Sequence, residues 1–215
     1  MSIQNQLITA GRRLVDMGLS PGATGNLSLR DGDSFLITGT GASLGHLTEA
    51  DLARVSLTGV HLGGAPASKE TPLHAGFYRR GEEHQAIVHL HSPQAVALSC
   101  RTTWSEDNAV PPLTPYFVMR VGQTPLLPYR HPGDAGLGED IRSARGPFRA
   151  ALLANHGSVV SGKDLDDAVE RAAELEEACR IALLTENSPR RELTPVQIRE
   201  LAERWNSPWT HSPVD

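Results

Sequence analysis

A chain of 215 residues, 39% hydrophobic and 21% charged, is long enough to bury a core without disulfide or metal staples, and one domain is expected over residues 1–215, with a C-terminal tail from about residue 195. A net charge of −5 with scattered Lys and Arg excludes the basic stripe of a nucleic-acid binder, and the pairs Arg12 and Arg13, Arg79 and Arg80, and Arg190 and Arg191 read as solvated surface. No run approaches the roughly 18 apolar residues of a membrane-spanning helix. The amphipathic start MSIQNQLITAGRRLVDMGL lacks the apolar stretch of a signal peptide, so a cytoplasmic location is expected, with neither nucleic acid nor membrane as partner.

In chain order, Ile3, Leu7, Ala10, Leu14 and Met17 recur at spacings of three and four, which predicts an amphipathic helix ending at Gly18. NLSLR and SFLIT read as strands of a hairpin around the turn DGD. TEADLARVSL predicts a short helix capped by Thr48 and Asp51 that runs into a strand, and GVHLGGAPAS reads as a glycine-rich connector. SKETPLHAGFYRRG opens a second helix, with Ser68 as candidate N-cap and Pro72 in the first turn. AIVHLHS is a strand, SPQAVALSCR the helix after it, and TPYFVMRVGQTPLLPY is broken by prolines, with a strand expected at 125–129. A helix is expected at 139–148, and AALLANHGSVVSG holds two apolar runs around Asn155, His156 and Gly157. DLDDAVERAAELEEACRIALLTEN is the clearest long helix, striped by Leu165, Ala168, Ala172, Leu175, Cys179, Ala182 and Leu183. A short helix begins the tail, which ends in WNSPWTHSPVD, expected to be loosely held or docked on a partner. This order of elements favours an α/β or α+β sheet with helices on both faces.

Cys100 and Cys179 are far apart and in no CxxC pair, so free thiols are expected. Histidine is somewhat abundant, at nine. On a strand, His89 and His91 point to one side while Val88 and Leu90 point to the other, which fits either a metal-binding pair or two packed, hydrogen-bonded imidazoles. Alone, His156 reads as a loop histidine, Glu70 as a first-turn glutamate favoured by the helix dipole, and the glycine turns as turns.

Taken together and in this order, GATGNLSLR, SKE, HLH and ANHG resemble the class II aldolase/adducin family over about residues 5 to 190. The resemblance implies a three-layer αβα sandwich, an α/β fold with a central mixed, mainly antiparallel sheet. It implies that His89, His91 and His156 bind Zn2+, although imidazole sites also take Mn2+, Co2+ or Ni2+. Glu70 would be a further metal-side ligand and the acid/base catalyst, and Gly25, Asn26, Thr40, Gly41 and Ser68 would form the phosphate pocket.

Where the family's aldolases commonly carry a second serine before the glutamate, this chain has Lys69, whose charge suggests a more anionic substrate. SKE, TPYFVMRVG and the PGD at 132–134 look most like the branch that decarboxylates 3-oxo-tetronate 4-phosphate, a phosphorylated four-carbon sugar acid. That resemblance implies loss of CO2 through a zinc-stabilised enediolate to give dihydroxyacetone phosphate. Tyr116 matches the region of a tyrosine that relatives supply from the adjacent subunit, against a reading as a packed aromatic. Arg120 is a candidate for neutralising a carboxylate, against a surface reading. A homotetramer with sites between subunits is implied. The alternatives are a fuculose-phosphate-type aldolase or ribulose-phosphate 4-epimerase, and a non-catalytic adducin-like module, against which the retained His89, His91, His156 and Glu70 argue.

Overall fold

The structure is a computed structural model that describes residues 1–22 and 24–210. Ala23 of the first glycine motif and His211–Asp215 of the tail lie outside the described residues. Eight strands form one sheet: β1 (Asn26–Asp31), β2 (Ser34–Thr38), β3 (Leu52–Ser56), β4 (His61–Gly64), β5 (Ala86–Leu90), β6 (Leu126–Leu127), β7 (Ala150–Leu153) and β8 (Gly157–Gly162). Their spatial order is β4-β3-β2-β1-β5-β8-β7-β6, and every pairing is antiparallel except β6 with β7. The expected mixed, mainly antiparallel sheet is present.

Alternation along the strands splits the core in two. Leu27, Leu29, Val88, Leu90 and Val160 face α1 (Ile3–Asp16), α3 (Pro93–Ser99) and α5 (Leu165–Leu184), where Leu7, Leu14, Ala95 and Val169 complete one cluster. Phe35, Ile37, Ile87 and Val159 face α2 (Thr71–Arg80) and α4 (Gly136–Ser143), where Leu73, Phe77, Leu137 and Ile141 complete the other. The result is the three-layer αβα sandwich, with the histidine face of β5 turned toward α2.

Most expected elements occur where the patterns place them. Thr48 and Asp51 do form a reciprocal cap, on a single 3₁₀ turn, Glu49–Asp51. Four local readings need correction. The glycine-rich connector contains β4, an edge strand whose pairing with β3 is irregular at Arg54 and Val55. Ser68 is not the N-cap of α2: Glu70 holds that position, while Ser68 Oγ accepts from the Glu70 N–H at 3.2 Å. The helix expected at 139–148 begins at Gly136 and ends at Ser143, because it packs on α2 through Gly138 and Gly76. A Cβ on Gly76 would stand 2.7 Å from the Gly138 carbonyl oxygen, so only glycine permits that approach.

The tail is the fourth. After α6 (Pro195–Trp205) its described residues, 206–210, turn back onto their own chain rather than hanging free. Pro208 O accepts from Gln123 N at 2.8 Å, Ser207 Oγ donates to Val118 O, and Trp209 meets Phe117 edge-on at 6.2 Å. These contacts strap residues 207–210 over a π-helical turn, Phe117–Val121.

Candidate metal centre

Three strands end together at the site. Asn26 opens β1 in register with His89, near the end of β5, and Leu90 pairs with Ser158 at the start of β8. The β7–β8 turn carries His156, which follows Asn155 in a left-handed conformation (φ 57°) that Asn tolerates better than most residues. Asn155 N–H donates to Ser99 O at 3.2 Å and fixes the turn against the end of α3.

The His91 Nε2 atom lies 3.0 Å from His89 Nε2 and 3.1 Å from His156 Nε2. His89 Nδ1 is 2.8 Å from the Ser158 carbonyl, which can only accept, so Nδ1 carries the proton and Nε2 offers a lone pair. Burial pushes all three imidazole pKa values down, His156 to about 4, and in His89 the neighbouring His156 and His91 add to the effect. With Nε2 unprotonated on His91 and His156 as on His89, the three lone pairs converge on one point, an arrangement that a cation between them stabilises. A tetrahedral ion with bonds of about 2.05 Å sets nitrogens about 3.3 Å apart, close to the spacing observed. The residues present therefore fit a divalent metal, and the donor set of three imidazoles leaves a position open to substrate.

Glu70 stands outside this triad of converging ligand atoms. It precedes the first residue of α2, one turn before His74, which hydrogen-bonds Asn26. Its Oε1 accepts from Gly133 N at 3.1 Å, and Oε2 is buried without a hydrogen-bond partner among the described residues. Burial raises its pKa, with the Gly133 N–H opposing. A buried carboxyl group with one oxygen anchored and one uncommitted suits proton transfer.

The model of the class II aldolase and adducin N-terminal domain matches residues 5–183. A curated 3-oxo-tetronate 4-phosphate decarboxylase of Pectobacterium atrosepticum is 42% identical over 198 residues, covering 92% of this chain and 91% of the relative. The chain belongs to the class II aldolase and adducin family. An L-fuculose phosphate aldolase of Methanocaldococcus jannaschii is 34% identical, over 84% of this chain and 96% of its own. The crystal structure of YgbL from Klebsiella pneumoniae superposes with a TM-score of 0.88 at 38% identity, covering 94% of this chain and 99% of that one. Like the curated decarboxylases it matches, this chain is an enzyme of the lyase class, and no helix among the described residues is long and apolar enough to cross a membrane.

The other residues singled out in the sequence fall into two groups. Gly25 (φ 84°) and Asn26 lead into β1 beside His89, and a Cβ on Gly25 would stand 2.9 Å from the His89 carbonyl oxygen. Thr40 is tied to the segment before Glu70 by Oγ1 donating to Ala67 O at 2.8 Å, with Gly41 next to it (φ 77°), Ser68 buried and Lys69 exposed. Within one chain, Tyr116 and Arg120 do not join this group. Tyr116 caps and Arg120 lies within the π-helical turn, which packs on α5 and α6 in the other helical layer. There Arg120 pairs with Glu170 at 3.4 Å and lies over the exposed Tyr116 ring at 5.7 Å.

Sequence reasoning passed over Gly133, Ser28, His74 and Tyr78. Gly133 has a signal in the PGD turn, but its contact with Glu70 crosses 63 residues. His74 lies four residues after Glu70, a helical spacing that puts both on one side of α2.

Proposed function

We propose that this chain decarboxylates 3-oxo-tetronate 4-phosphate to dihydroxyacetone phosphate and CO2. The observation that carries the reading is a 42% identical decarboxylase aligned over 92% of the chain. The convergence of His89, His91 and His156 and the half-anchored Glu70 carboxyl supply chemistry that suits the reaction.

The substrate phosphate sits among Gly25, Asn26, Thr40, Gly41 and Ser68, where backbone N–H groups, hydroxyls and a carboxamide donate. Lys69 draws in the substrate carboxylate. His89, His91 and His156 would hold the metal, Zn2+ in this reading, which when bound would supply a Lewis acid for negative charge developing on the substrate oxygens. Breaking the C1–C2 bond releases CO2 and leaves the electron pair delocalised between C2 and the C3 oxygen. Glu70 in its acid form then delivers a proton from Oε2 to C2, while Gly133 N–H holds Oε1. One proton returns from solvent to Glu70 per turnover, which balances the reaction.

Residues 1–215 act as one unit, in the cytoplasm, and assemble as a homotetramer. There Tyr116 and Arg120 of one subunit reach the site of the next, consistent with their exposure and their distance from their own triad in the fold.

The test is a paired assay with 3-oxo-tetronate 4-phosphate and fuculose 1-phosphate, using wild type and Glu70→Gln. CO2 release from the first, lowered about 10²–10⁴-fold in Glu70→Gln with metal content unchanged, is expected. Aldehyde release from fuculose 1-phosphate without CO2 from the sugar acid would replace this reading with an aldolase.

A further inference from the structure

Behind Asn26 lies a line of buried polar side chains that the proposed reaction does not use. Tyr78, Ser28, His74 and Asn26 are 3%, 0%, 0% and 7% exposed, which takes them out of contact with bulk water. Ser28 Oγ is 2.6 Å from Tyr78 Oη and 2.7 Å from His74 Nδ1, and His74 Nε2 meets Asn26 Oδ1. The line exists because β1 turns Asn26 and Ser28 to the face covered by α2, where His74 and Tyr78 lie one turn apart.

We infer that Tyr78, Ser28 and His74 are positioning residues whose hydrogen bonds fix the Asn26 carboxamide with its N–H2 edge toward the substrate phosphate. This rests on the assignment of Asn26 to the phosphate pocket made above. Only one direction of the protons satisfies every member. Tyr78 O–H donates to Ser28, Ser28 O–H to His74 Nδ1, and His74 Nε2–H to Asn26 Oδ1. In the reverse direction Tyr78 accepts from Ser28 and its own buried proton has no other partner among the described residues. His74 is neutral, because burial holds its pKa down to about 3, so it has a single N–H to give. With Oδ1 taken by that N–H, both protons of Asn26 Nδ2 remain for an anion. A flipped carboxamide would instead present oxygen to the phosphate and repel it.

A purely structural network would stitch β1 to α2 and affect only stability. An orienting one must change phosphate affinity through Asn26. The variants Asn26→Ala, Ser28→Ala, their combination, His74→Leu and His74→Gln are compared by KM and kcat for 3-oxo-tetronate 4-phosphate and by calorimetric binding of inorganic phosphate. Asn26→Ala is expected to raise KM and the phosphate Kd by about ten-fold or more, as for a lost hydrogen bond to a charged group. Ser28→Ala and His74→Leu raise both several-fold with kcat changed less than two-fold, as for an interaction equal in ground and transition states. His74→Gln, which keeps an amide N–H near the Nε2 position, restores most of the affinity. Ser28→Ala adds nothing once Asn26 is alanine, since the coupling passes through that side chain.

If Asn26→Ala weakens phosphate binding while Ser28→Ala leaves it unchanged, or if the two effects simply add, the positioning role is overturned and the pocket assignment stands. If Asn26→Ala itself leaves Kd and KM unchanged, the pocket assignment falls and the inference with it. Should the His74 variants fail to fold, the Asn26 and Ser28 cycle decides alone.

Discussion

Gly25→Ala is a measurable probe of how β1 is seated against the metal strand. Gly25 has φ of 84°, in the left-handed region where an L side chain costs roughly 1–2 kcal/mol. The new Cβ would also stand 2.9 Å from the His89 carbonyl oxygen and 3.2 Å from Leu90 Cδ2, so backbone must move, at about 1–3 kcal/mol for an overpacked site. The two contributions sum to about 2–5 kcal/mol. Gly41 supplies the control: its φ is 77°, but a Cβ there meets nothing within 4 Å, so Gly41→Ala carries the conformational cost alone. For a chain of this size each kcal/mol lowers Tm by roughly 2–4 °C, so calorimetric melting at one protein concentration resolves the difference. Gly25→Ala should melt at least a few degrees below Gly41→Ala. Equal melting temperatures would refute the argument that the approach of Gly25 to His89 is what demands glycine.

Two other perturbations test separate parts of the fold. His74 and His84 are buried with pKa values near 3 and 4, below the free value of about 6.5, because burial disfavours their charged forms. The unfolded chain therefore binds more protons between about pH 4 and 6.5, so stability is full above that window and falls as pH drops through it. Urea midpoints at pH 7.5 and 5 should show the loss, with a shallower slope in His84→Gln; a pH-independent midpoint would contradict it. Truncation after Asn206 removes the Ser207, Pro208 and Trp209 contacts with Val118, Gln123 and Phe117. Hydrogen exchange at 117–123 should accelerate, since those backbone groups lose their cover, and unchanged protection would mean the tail does not hold that turn.

Local chemistry made much of this protein legible in the sequence alone. Periodicity marks α1 and α5, DGD marks the β1–β2 hairpin, and Thr48 with Asp51 marks a cap, because each signal involves residues a few positions apart. The period of two along β5 likewise puts His89 and His91 on one side before any neighbour is known. What needed the tertiary structure is contact across long sequence distances. Gly138 shifts α4 because Gly76 lets two helices touch, and the tail meets the turn at Phe117–Val121 through contacts such as Ser207 with Val118, 89 residues apart in sequence. The same holds at the site. HLH states that two imidazoles share a face, but only the pairing of β5 with β8 brings His156 to them. Glu70 reads as a surface glutamate until α2 is laid on the sheet and the loop carrying Gly133 closes over it, because burial and the loss of water, rather than the identity of the side chain, give its carboxyl group a raised pKa.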